Sequence, residues 1–453
     1  MDKTKNLQEK VTGLYDRIRN DFYLCRNDLE VSGESYSSAL LLGALTELNK
    51  GNQLVLGEYG GGKTTSAEYL HSVFNSLPLD LVKRVKIRGH PQLTEEKLKA
   101  RPDFAKMHIG ENKVTWLPFI LVGPKIVDEM NRIPESNQAM ILNGVDNGEW
   151  DYLDDSVFTG PQPLFATCNY SDRGNNDLIP PMLDRFDVAV ESKFPGVANV
   201  ASIAQDYHNE KDSVLTNQNL TRDALRILNS GKSYEEIQEE LKGITSRFGD
   251  SLKGEGFSVL TEEDKEKIEK EIKSVQLNND AEQYFMFLVS EMNVSPKYGQ
   301  KRSIDRESNE HGLYLQSSFI GSGSRREEKS LVRYAKSLAW LQNQKKANLD
   351  HLLQLAPYVL WHRLKWNDET KSKFRSDDRD DPLDLHIAKQ LLGDGTQEIP
   401  GVKKRLVESK ANYQQVLGLI KDNKIDEARR YAETFAAAGK GHPIFLDTLK
   451  DLS

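Results

Sequence analysis

Apolar residues recur at two different periods along the first 195 positions, and this alternation predicts the fold. Helical spacing over residues 6–25 and 36–49 predicts two helices, and a third is predicted over 138–145. Between and after them lie short segments that predict strands, at residues 53–56, 114–116, 126–127, 163–168 and 188–191, and at 82–88, where basic and apolar residues alternate. Strands that alternate with helices indicate a parallel sheet flanked by helices.

The pattern changes after Pro195. The remaining chain is charged and almost free of strand signals, and its clearest helical segments are residues 233–242, 261–275, 281–292, 325–344 and 351–364. An acidic run at 377–382 reads as a linker before a further helical tail. A chain of 453 residues is too long for one ordinary core, so we expect two or three domains.

Composition narrows the class of protein. The chain has 61 basic and 69 acidic residues, and its net charge of −8 argues against a surface made for nucleic acid. Its longest apolar stretches, such as residues 39–44, are too short to span a bilayer, and no secretory signal is visible. Cys25 and Cys168 give no disulfide framework, which indicates a cytoplasmic protein.

One glycine-rich segment carries the strongest chemical signal. Residues 57–65 read Gly-Glu-Tyr-Gly-Gly-Gly-Lys-Thr-Thr, between the predicted strand 53–56 and a helix-compatible run. Glycines let successive backbone N–H groups wrap a phosphate at a helix N-terminus, as in a P-loop. The alternative, a glycine turn with a chance Gly-Lys-Thr, is disfavoured by the preceding strand. The predicted nucleotide-binding residues are Gly57, Gly60, Gly61, Gly62, Lys63, Thr64 and Thr65, with Thr64 also on Mg²⁺.

Two acids follow the predicted core strand at 126–127. Hydrolysis of a nucleotide needs a carboxylate for Mg²⁺ and a group that orients water. We expect Asp128 to hold the water shell of the metal and Glu129 to polarise the attacking water. An acidic helix start is the alternative, and the position at the end of a core strand makes it the weaker one.

Two further polar residues are candidates for the same site. Asn169 closes the predicted strand 163–168, where its amide would hold the attacking water, although a strand-end asparagine taken alone is more often a turn starter. Arg185 precedes a predicted edge strand, and its permanent, forked cation suits phosphoryl charge. The alternative is a surface ion pair with Asp184 or Asp187. We expect Arg185 at the sheet edge far from its own P-loop, and therefore acting on a neighbouring subunit.

Together these residues resemble the AAA+ ATPases, and within them the MoxR group of the helix-2-insert clade. The resemblance covers residues 30–365 and rests on the P-loop and on Asp-Glu-Met-Asn-Arg-Ile-Pro at 128–134. It rests also on Phe-Ala-Thr-Cys-Asn at 165–169, Leu-Asp-Arg-Phe at 183–186 and Gly-Ser-Gly-Ser-Arg at 321–325, followed by a lid-like run at 355–364. The resemblance implies that Asp128 and Glu129 are the Walker B pair, Asn169 is sensor 1, Arg185 is the arginine finger, and Arg325 or the adjacent Arg326 is sensor 2.

The resemblance also implies an architecture. It is an AAA+ α/β core, a P-loop NTPase with a parallel sheet flanked by helices, followed by an all-α lid and a helical C-terminal tail. The predicted parts are an N-terminal helix at 1–30, the nucleotide-binding core at 31–195, the lid with insertions at 196–375 and the tail at 376–453. Hairpins predicted near Gly110 and around Asp154 correspond to the two inserts that family members direct toward a pore or a client.

The implied activity is Mg²⁺-dependent hydrolysis of ATP by a cytoplasmic, ring-forming protein that remodels or assembles partner proteins like a chaperone. The implied partners are further copies of the chain, hexameric by the family's habit, and a von Willebrand factor A domain protein. One alternative is a nucleic-acid-translocating motor, supported only by local basic clusters at 83–88, 345–346 and 403–405. The other is a nucleotide-switched scaffold that hydrolyses ATP poorly. No membrane insertion is expected.

Overall fold

The structure is a computed structural model. It describes residues 6–58, 60–102, 114–170, 178–205, 212–293, 314–321, 323–375, 379–437, 442 and 444. The chain divides into two compact units, of which the first comprises Met1–Val275 and Trp340–Gln344 and the second comprises Gln276–Ala339 and Lys345–Ser453. Within the described ranges, no helix is both long enough and apolar enough to cross a bilayer.

The first unit is an α/β structure. Its described strands are β1 Leu29–Val31, β2 Glu34–Tyr36, β3 Asn52–Gly57, β4 Ile87–Arg88, β5 Ala100–Pro102, β6 Val114–Trp116, β7 Lys125–Asp128, β8 Glu149–Tyr152, β9 Asp155–Phe158, β10 Leu164–Asn169 and β11 Val188–Glu191. Its described helices are α1 Leu7–Arg17, α2 Ser38–Asn49, α3 Lys63–Phe74, α4 Leu79–Val85, α5 Glu95–Leu98, α6 Pro118–Leu121, α7 Glu135–Asn147, α8 Pro180–Leu183, α9 Val197–Ala204, α10 Gln218–Leu228, α11 Tyr234–Gly254 and α12 Glu262–Ser274.

Five strands form one parallel sheet in the order β11-β3-β10-β7-β4. The central strand β10 is buried along its whole length, as expected for a parallel sheet covered on both faces. In the register, Asn169 lies opposite Gly57, and Arg88 lies opposite Asp128. All five strands run in the same direction. The carboxyl ends of β3, β7 and β10, which carry Gly57, Asp128 and Asn169, therefore meet along one side of the sheet. The predicted fold class is confirmed.

One predicted strand is wrong. Most of residues 82–88 belongs to the helix α4, and only Ile87–Arg88 joins the sheet. Val82 and Val85 are buried while Lys83 and Arg84 are exposed. Apolar residues three positions apart fit one face of a helix, and a run this short does not distinguish that spacing from strand alternation.

The two predicted hairpins have different outcomes. Strands β8 and β9 pair antiparallel around Leu153 and Asp154, which confirms the second hairpin. Strands β5 and β6 also pair antiparallel, but residues 103–113, which include Gly110, lie outside the described part of the chain.

Helices that follow the sheet pack back on the first unit. The Gln238 Nε2 atom of α11 donates to the Leu121 carbonyl at 2.7 Å, and the Lys265 Nζ atom of α12 donates to Asn75 Oδ1 at 3.0 Å. The first compact unit therefore extends past residue 195, where we placed the end of the core, although its last strand ends before that point, at Glu191.

The second unit is mainly helical. Its described helices are α13 Asn279–Met292, α14 Arg325–Leu341, α15 Leu349–Leu360, α16 Asp368–Lys373, α17 Leu383–Leu392, α18 Val402–Lys421 and α19 Ile425–Ala437, of which α14 ends in the first unit. Two-residue strands add the parallel pair β12 Gln276–Leu277 with β14 Lys346–Ala347, and the antiparallel pair β13 Phe319–Ile320 with β15 Lys365–Trp366. The lid and tail are helical, as predicted.

A buried carboxylate ties three parts of the second unit together. Glu291 on α13 has no exposed surface, and its two oxygens accept hydrogen bonds from the Arg405 guanidinium on α18. The Leu315 backbone N–H donates to Glu291 Oε2 at 3.0 Å, and His442 Nε2 lies 3.1 Å from Oε1. Burial raises the pKa of Glu291, but the His442 hydrogen bond and the Arg405 cation outweigh it and hold this pKa below its usual range.

Candidate functional site

The glycine-rich loop connects a buried strand to a helix. Strand β3 ends at Gly57, and α3 begins at Lys63. Gly60 and Gly62 have φ angles of 74° and 73°, in the left-handed region that glycine adopts without strain. Gly62 is the residue immediately before α3, so the free N–H groups of this helix face the loop. The local geometry is that of a P-loop, in which the positive end of the helix suits an anion such as phosphate.

Lys63 is buried beneath this loop. Its side chain donates to the Gly57 carbonyl at 3.0 Å and to the Glu58 carbonyl at 2.6 Å. Burial lowers the pKa of Lys63, and the negative charges of Asp128 and Glu58 offset only part of this effect. The ammonium group is therefore satisfied by loop carbonyls, which a phosphate can replace as the stronger, charged partner.

Asp128 joins three elements at one point. Its Oδ1 atom accepts hydrogen bonds from Thr64 Oγ1 on α3 at 2.6 Å and from Thr167 Oγ1 on β10 at 2.7 Å. Sequence reasoning missed Thr167. The period of two along β10 puts Thr167 on the same face as Asn169, and this alternation is the signal that would have found it.

The backbone of Glu129 is held in an unusual conformation. Its φ and ψ angles are 54° and 51°, a left-handed geometry that costs a residue other than glycine about 1–3 kcal/mol. The Glu129 N–H donates to Thr167 Oγ1 at 2.9 Å. On the other side, Gly89 lies so close that an added Cβ would be 2.0 Å from the Glu129 carbonyl oxygen. Only glycine fits at position 89, and the main chain of Glu129 is clamped from two directions.

The Glu129 side chain contacts a second predicted site residue. Its Oε1 atom accepts a hydrogen bond from Asn169 Nδ2 at 3.3 Å, and its Oε2 atom lies 3.2 Å from the Arg132 guanidinium. Asn131 Nδ2 donates to the Asn169 carbonyl at 3.4 Å. The structure thus brings the predicted Walker B and sensor 1 side chains into direct contact and adds Arg132, which sequence reasoning left without a role at this site.

The donor set at the end of α3 fits Mg²⁺. Hydroxyl and carboxylate oxygens are the hard ligands that this ion prefers, and Thr64 and Asp128 supply one of each. Among the described residues, no group of three or more His, Cys, Asp or Glu side chains is placed to hold a metal. The remaining ligands would therefore come from nucleotide phosphates and water, which is how Mg²⁺ is usually held in nucleotide sites.

Arg185 lies beside the start of strand β3, at the end of the sheet opposite to the P-loop. The Asn52 side chain at the start of β3 donates to the Arg185 carbonyl at 2.9 Å, whereas the P-loop follows Gly57 at the other end of β3. At about 3.3 Å per residue this separation is roughly 17 Å, which exceeds the reach of one arginine. Our expectation that a lateral edge separates Arg185 from its P-loop is wrong, because β11 is the direct neighbour of β3. The length of the strand separates them instead.

The partner of the Arg185 side chain also differs from the predicted alternative. Its guanidinium donates to Asn143 Oδ1 and forms an ion pair with Asp146 at 3.9 Å, both on α7. The alternative that the sequence offers is an ion pair with Asp184 or Asp187. The Arg185 side chain is about one-quarter exposed.

Arg325 begins α14 in the second unit. Its side chain is 85% exposed, and its guanidinium pairs with Glu328 at 3.0 Å within the same helix. Arg326 follows it directly, and its N–H donates to Ser324 Oγ at 3.1 Å. The sensor 2 role of Arg325 or Arg326 stays a prediction.

Comparisons with known proteins indicate the fold class of this chain. The sequence model of the AAA lid domain matches residues 317–383. A solved structure from Cytophaga hutchinsonii described as a "putative ATPase" aligns with a TM-score of 0.52 and 18% identity, over 82% of this chain and 91% of that chain. A full-length MCM homolog from Methanopyrus kandleri aligns over 79% and 62% of the two chains, but its TM-score of 0.40 and 12% identity carry no argument. No curated protein matches the chain.

The strand order of the sheet, the geometry of the P-loop and the match to the AAA lid model all indicate the same fold. The chain has the fold of an AAA+ ATPase, with an α/β core that bears the P-loop, an AAA lid and a helical C-terminal region. The comparisons name no group within this class.

Proposed function

We propose that the protein binds ATP with Mg²⁺ and hydrolyses it. The observation that carries this proposal is the pair of hydrogen bonds from Thr64 and Thr167 to one oxygen of Asp128. These bonds bring the P-loop helix and the ends of two neighbouring strands together, at the position where a nucleotide triphosphate requires a metal-binding carboxylate.

Each residue of the site has a part in this reaction. The loop N–H groups and Lys63 would hold the β- and γ-phosphates, while the glycine skeleton lets the backbone approach them closely. Glu129 would accept a proton from the attacking water, and Asn169, at 3.3 Å from Glu129, would hold the same water in line. Mg²⁺ on Thr64 and Asp128 would neutralise charge on the β- and γ-oxygens.

A complete site would need a second copy of the chain. Arg185 cannot reach its own P-loop, because the length of β3 lies between them. An arginine on the opposite end of the sheet is suited to a neighbour's site, and such a head-to-tail contact closes into a ring or extends as a filament. We therefore place Arg185 as a finger acting on the adjacent subunit of a ring.

The proposed use of this activity is the remodelling or assembly of partner proteins by a MoxR-like machine. The β8–β9 hairpin supports a polypeptide client, because Leu153 and Phe158 on it are 62% and 71% exposed. Exposed large apolar side chains on one hairpin are typical of a surface that binds protein. A von Willebrand factor A domain protein is the partner that the sequence resemblance implies.

The test is ATP turnover measured over a range of protein concentrations. Turnover per subunit should rise with concentration, because the site is completed by a neighbour, and Glu129→Gln should lower it by about 10²–10⁴ while leaving ATP bound. Absence of hydrolysis at high protein concentration would favour a nucleotide-switched scaffold instead. Stimulation by single-stranded or duplex DNA would favour a motor, and capture of a von Willebrand factor A domain would favour the remodeller.

A further inference from the structure

We propose that Tyr23 and Ser192 are positioning residues of the P-loop, which hold the Gly61 carbonyl and thereby keep the Gly62 N–H directed at the nucleotide phosphates. The inference rests on the proposed function, in which this loop binds the triphosphate of ATP. Neither side chain is assigned a contact with the nucleotide. Both act through one peptide group of the loop, and both lie outside the glycine-rich segment of the sequence.

Ser192 ties the loop to the sheet. It follows β11, and its N–H donates to the Leu56 carbonyl on β3 at 2.8 Å, which extends the pairing of the two strands by one residue. Its hydroxyl donates to the Gly61 carbonyl. Ser192 is 7% exposed, so water competes little for this hydrogen bond. The Gly61 carbonyl is therefore held by a residue that the sheet itself keeps in place.

The orientation of this carbonyl fixes the orientation of the next N–H group. In a planar trans peptide, the C=O of one residue and the N–H of the following residue point in opposite directions. Because the Gly61 carbonyl is bonded to Ser192, the Gly62 N–H points away from Ser192. No described residue accepts a hydrogen bond from this N–H, which immediately precedes the first turn of α3, where the N–H groups have no partner within the helix. It can therefore bind an anion together with them.

Tyr23 contacts the same loop and supports Ser192. Its ring lies against Gly62, where an added Cβ would be 3.4 Å from Tyr23 Cε2. The Tyr23 hydroxyl lies 3.4 Å from Ser192 Oγ. A serine hydroxyl has one hydrogen, and Ser192 gives it to Gly61, so Tyr23 is the donor in this pair. The result is a chain of two hydrogen bonds, from Tyr23 through Ser192 to the P-loop carbonyl.

The N-terminal helix fixes the position of Tyr23. After α1 the chain makes a π-helical turn over Ile18–Phe22, and the Tyr23 N–H donates to the Ile18 carbonyl at 2.7 Å. Phe22 is 3% exposed, and its ring centroid lies 5.7 Å from that of Tyr69 on α3. A π-helical turn is rare, and where it occurs it often lies at a functional site. A segment that precedes the sheet thus places a side chain on the P-loop, which helical spacing alone does not predict.

Contact with the nucleotide base is the alternative role for an aromatic side chain beside a phosphate-binding loop. The two roles affect different parts of the ligand. Positioning of the Gly62 N–H strengthens the binding of phosphates whether or not a base is attached, whereas a contact with the base strengthens the binding of ATP alone. Inorganic tripolyphosphate has three linked phosphates and no nucleoside, so it separates the two roles.

The decisive measurement is calorimetric titration of the full chain with ATP and with tripolyphosphate, each in the presence of Mg²⁺. Ser192→Ala is expected to weaken the binding of both ligands by the same factor, about 3- to 10-fold, which is the range for the loss of one hydrogen bond. Tyr23→Phe keeps the ring and removes the donor, and it is expected to weaken both by about 2- to 3-fold. Ser274→Ala is the matched control and should leave both affinities unchanged, because this exposed hydroxyl on α12 also bonds a backbone carbonyl, that of Glu271.

A double variant tests the chain of hydrogen bonds. Since the Tyr23 hydroxyl acts through Ser192, Tyr23→Phe should cause no further loss of affinity when Ser192→Ala is present. Additive losses overturn the proposal, and so does unchanged binding of tripolyphosphate in Ser192→Ala. A loss in Tyr23→Phe that is confined to ATP also overturns it, because Tyr23 would then contact the base. If Ser192→Ala does not fold, the binding of both ligands by Tyr23→Phe decides by the same criteria.

Failure of this inference differs from failure of the proposed function. If the wild-type protein binds neither ATP nor tripolyphosphate, the proposed function is wrong and this inference is wrong with it. If the wild type binds both ligands and Lys63→Ala binds them more weakly, but Ser192→Ala and Tyr23→Phe bind them as the wild type does, only the positioning by Tyr23 and Ser192 is refuted.

Discussion

The protein holds its acidic side chains in two contrasting ways. In the second unit, Glu291 is fully buried and its oxygens are bonded to Arg405 and His442. In the first unit, Asp128 accepts hydrogen bonds from two neutral hydroxyls at the edge of the sheet. A carboxylate whose oxygens are bonded to a guanidinium and an imidazole is a structural element, whereas one held by hydroxyls keeps its charge available for a ligand.

The comparison predicts a separation of effects. A buried ion whose partner is removed is left without compensation for its lost hydration. Removal of a partner of Glu291 should therefore lower the stability of the protein. Substitution of Asp128 should appear as loss of nucleotide binding or of rate, because Asp128 is partly exposed and its present partners, Thr64 and Thr167, are neutral. A single substitution that changed both the stability of the protein and its nucleotide binding or hydrolysis would contradict this separation.

The largest expected effect is on rate. Arg185→Ala should lower ATP hydrolysis by the assembled protein by about 10³–10⁵, because an arginine supplied in trans stabilises the transition-state charge. Mixing Arg185→Ala with Lys63→Ala protein should partly restore turnover, since mixed assemblies contain sites with an intact P-loop and an intact neighbouring arginine. Steady-state phosphate release across mixing ratios measures this, and no recovery at any ratio would exclude a shared site.

The next effect is on stability, on the other side of the comparison. Arg405→Ala should lower the free energy of unfolding of the second unit by about 3–5 kcal/mol, because it leaves Glu291 buried without its main cation. Lys410→Ala is the matched control on the same helix, and its exposed pair with Asp280 should be worth about 0–1 kcal/mol. Denaturant unfolding with hydrogen exchange in α13 and α18 measures both. Equal losses of unfolding free energy in the two variants would show that the buried Glu291–Arg405 pair contributes no more to stability than the exposed pair.

A smaller effect is expected on nucleotide affinity. Lys63→Ala removes the buried cation of the P-loop and should weaken ATP binding by about 2–5 kcal/mol, the range for truncating one partner of a buried charge pair. Calorimetric titration measures the affinity, and the denaturation midpoint should stay close to that of the wild type. Lys83→Ala, at an exposed lysine of α4, is the control. Unchanged ATP affinity in Lys63→Ala would count against the P-loop interpretation.

The smallest effect is on pH dependence. The pKa of Glu291 is held below its usual range in the folded protein, so its contribution to stability is complete above the unfolded pKa and is lost as pH falls through the folded pKa. As pH falls toward the ordinary pKa of a glutamate, the unfolded chain takes up the proton first, so the stability that this one group contributes begins to decrease there. Unfolding free energies at pH 7, 4.5 and lower should therefore fall more steeply for the wild type than for Glu291→Gln. Parallel curves would contradict the assignment.

The sequence predicted local structure best where all the residues that form an element lie in one short segment. The P-loop needs only a strand, its glycines and a helix start, all within consecutive residues, and the β8–β9 hairpin likewise pairs near neighbours. The weakest signal was the run at 82–88, where the same apolar residues fit a helix or a strand and the surrounding packing decided for the helix α4.

Sequence alone determined the class of fold, the P-loop and the strand ends that carry Asp128 and Asn169, because periodicity and glycine spacing are properties of adjacent residues. Tertiary structure alone decided that Thr167 bonds Asp128, that Gly89 clamps Glu129 and that Arg185 lies a strand length from its own P-loop. These contacts depend on strand order and register, which join residues far apart in the chain and follow from the packing of the whole sheet.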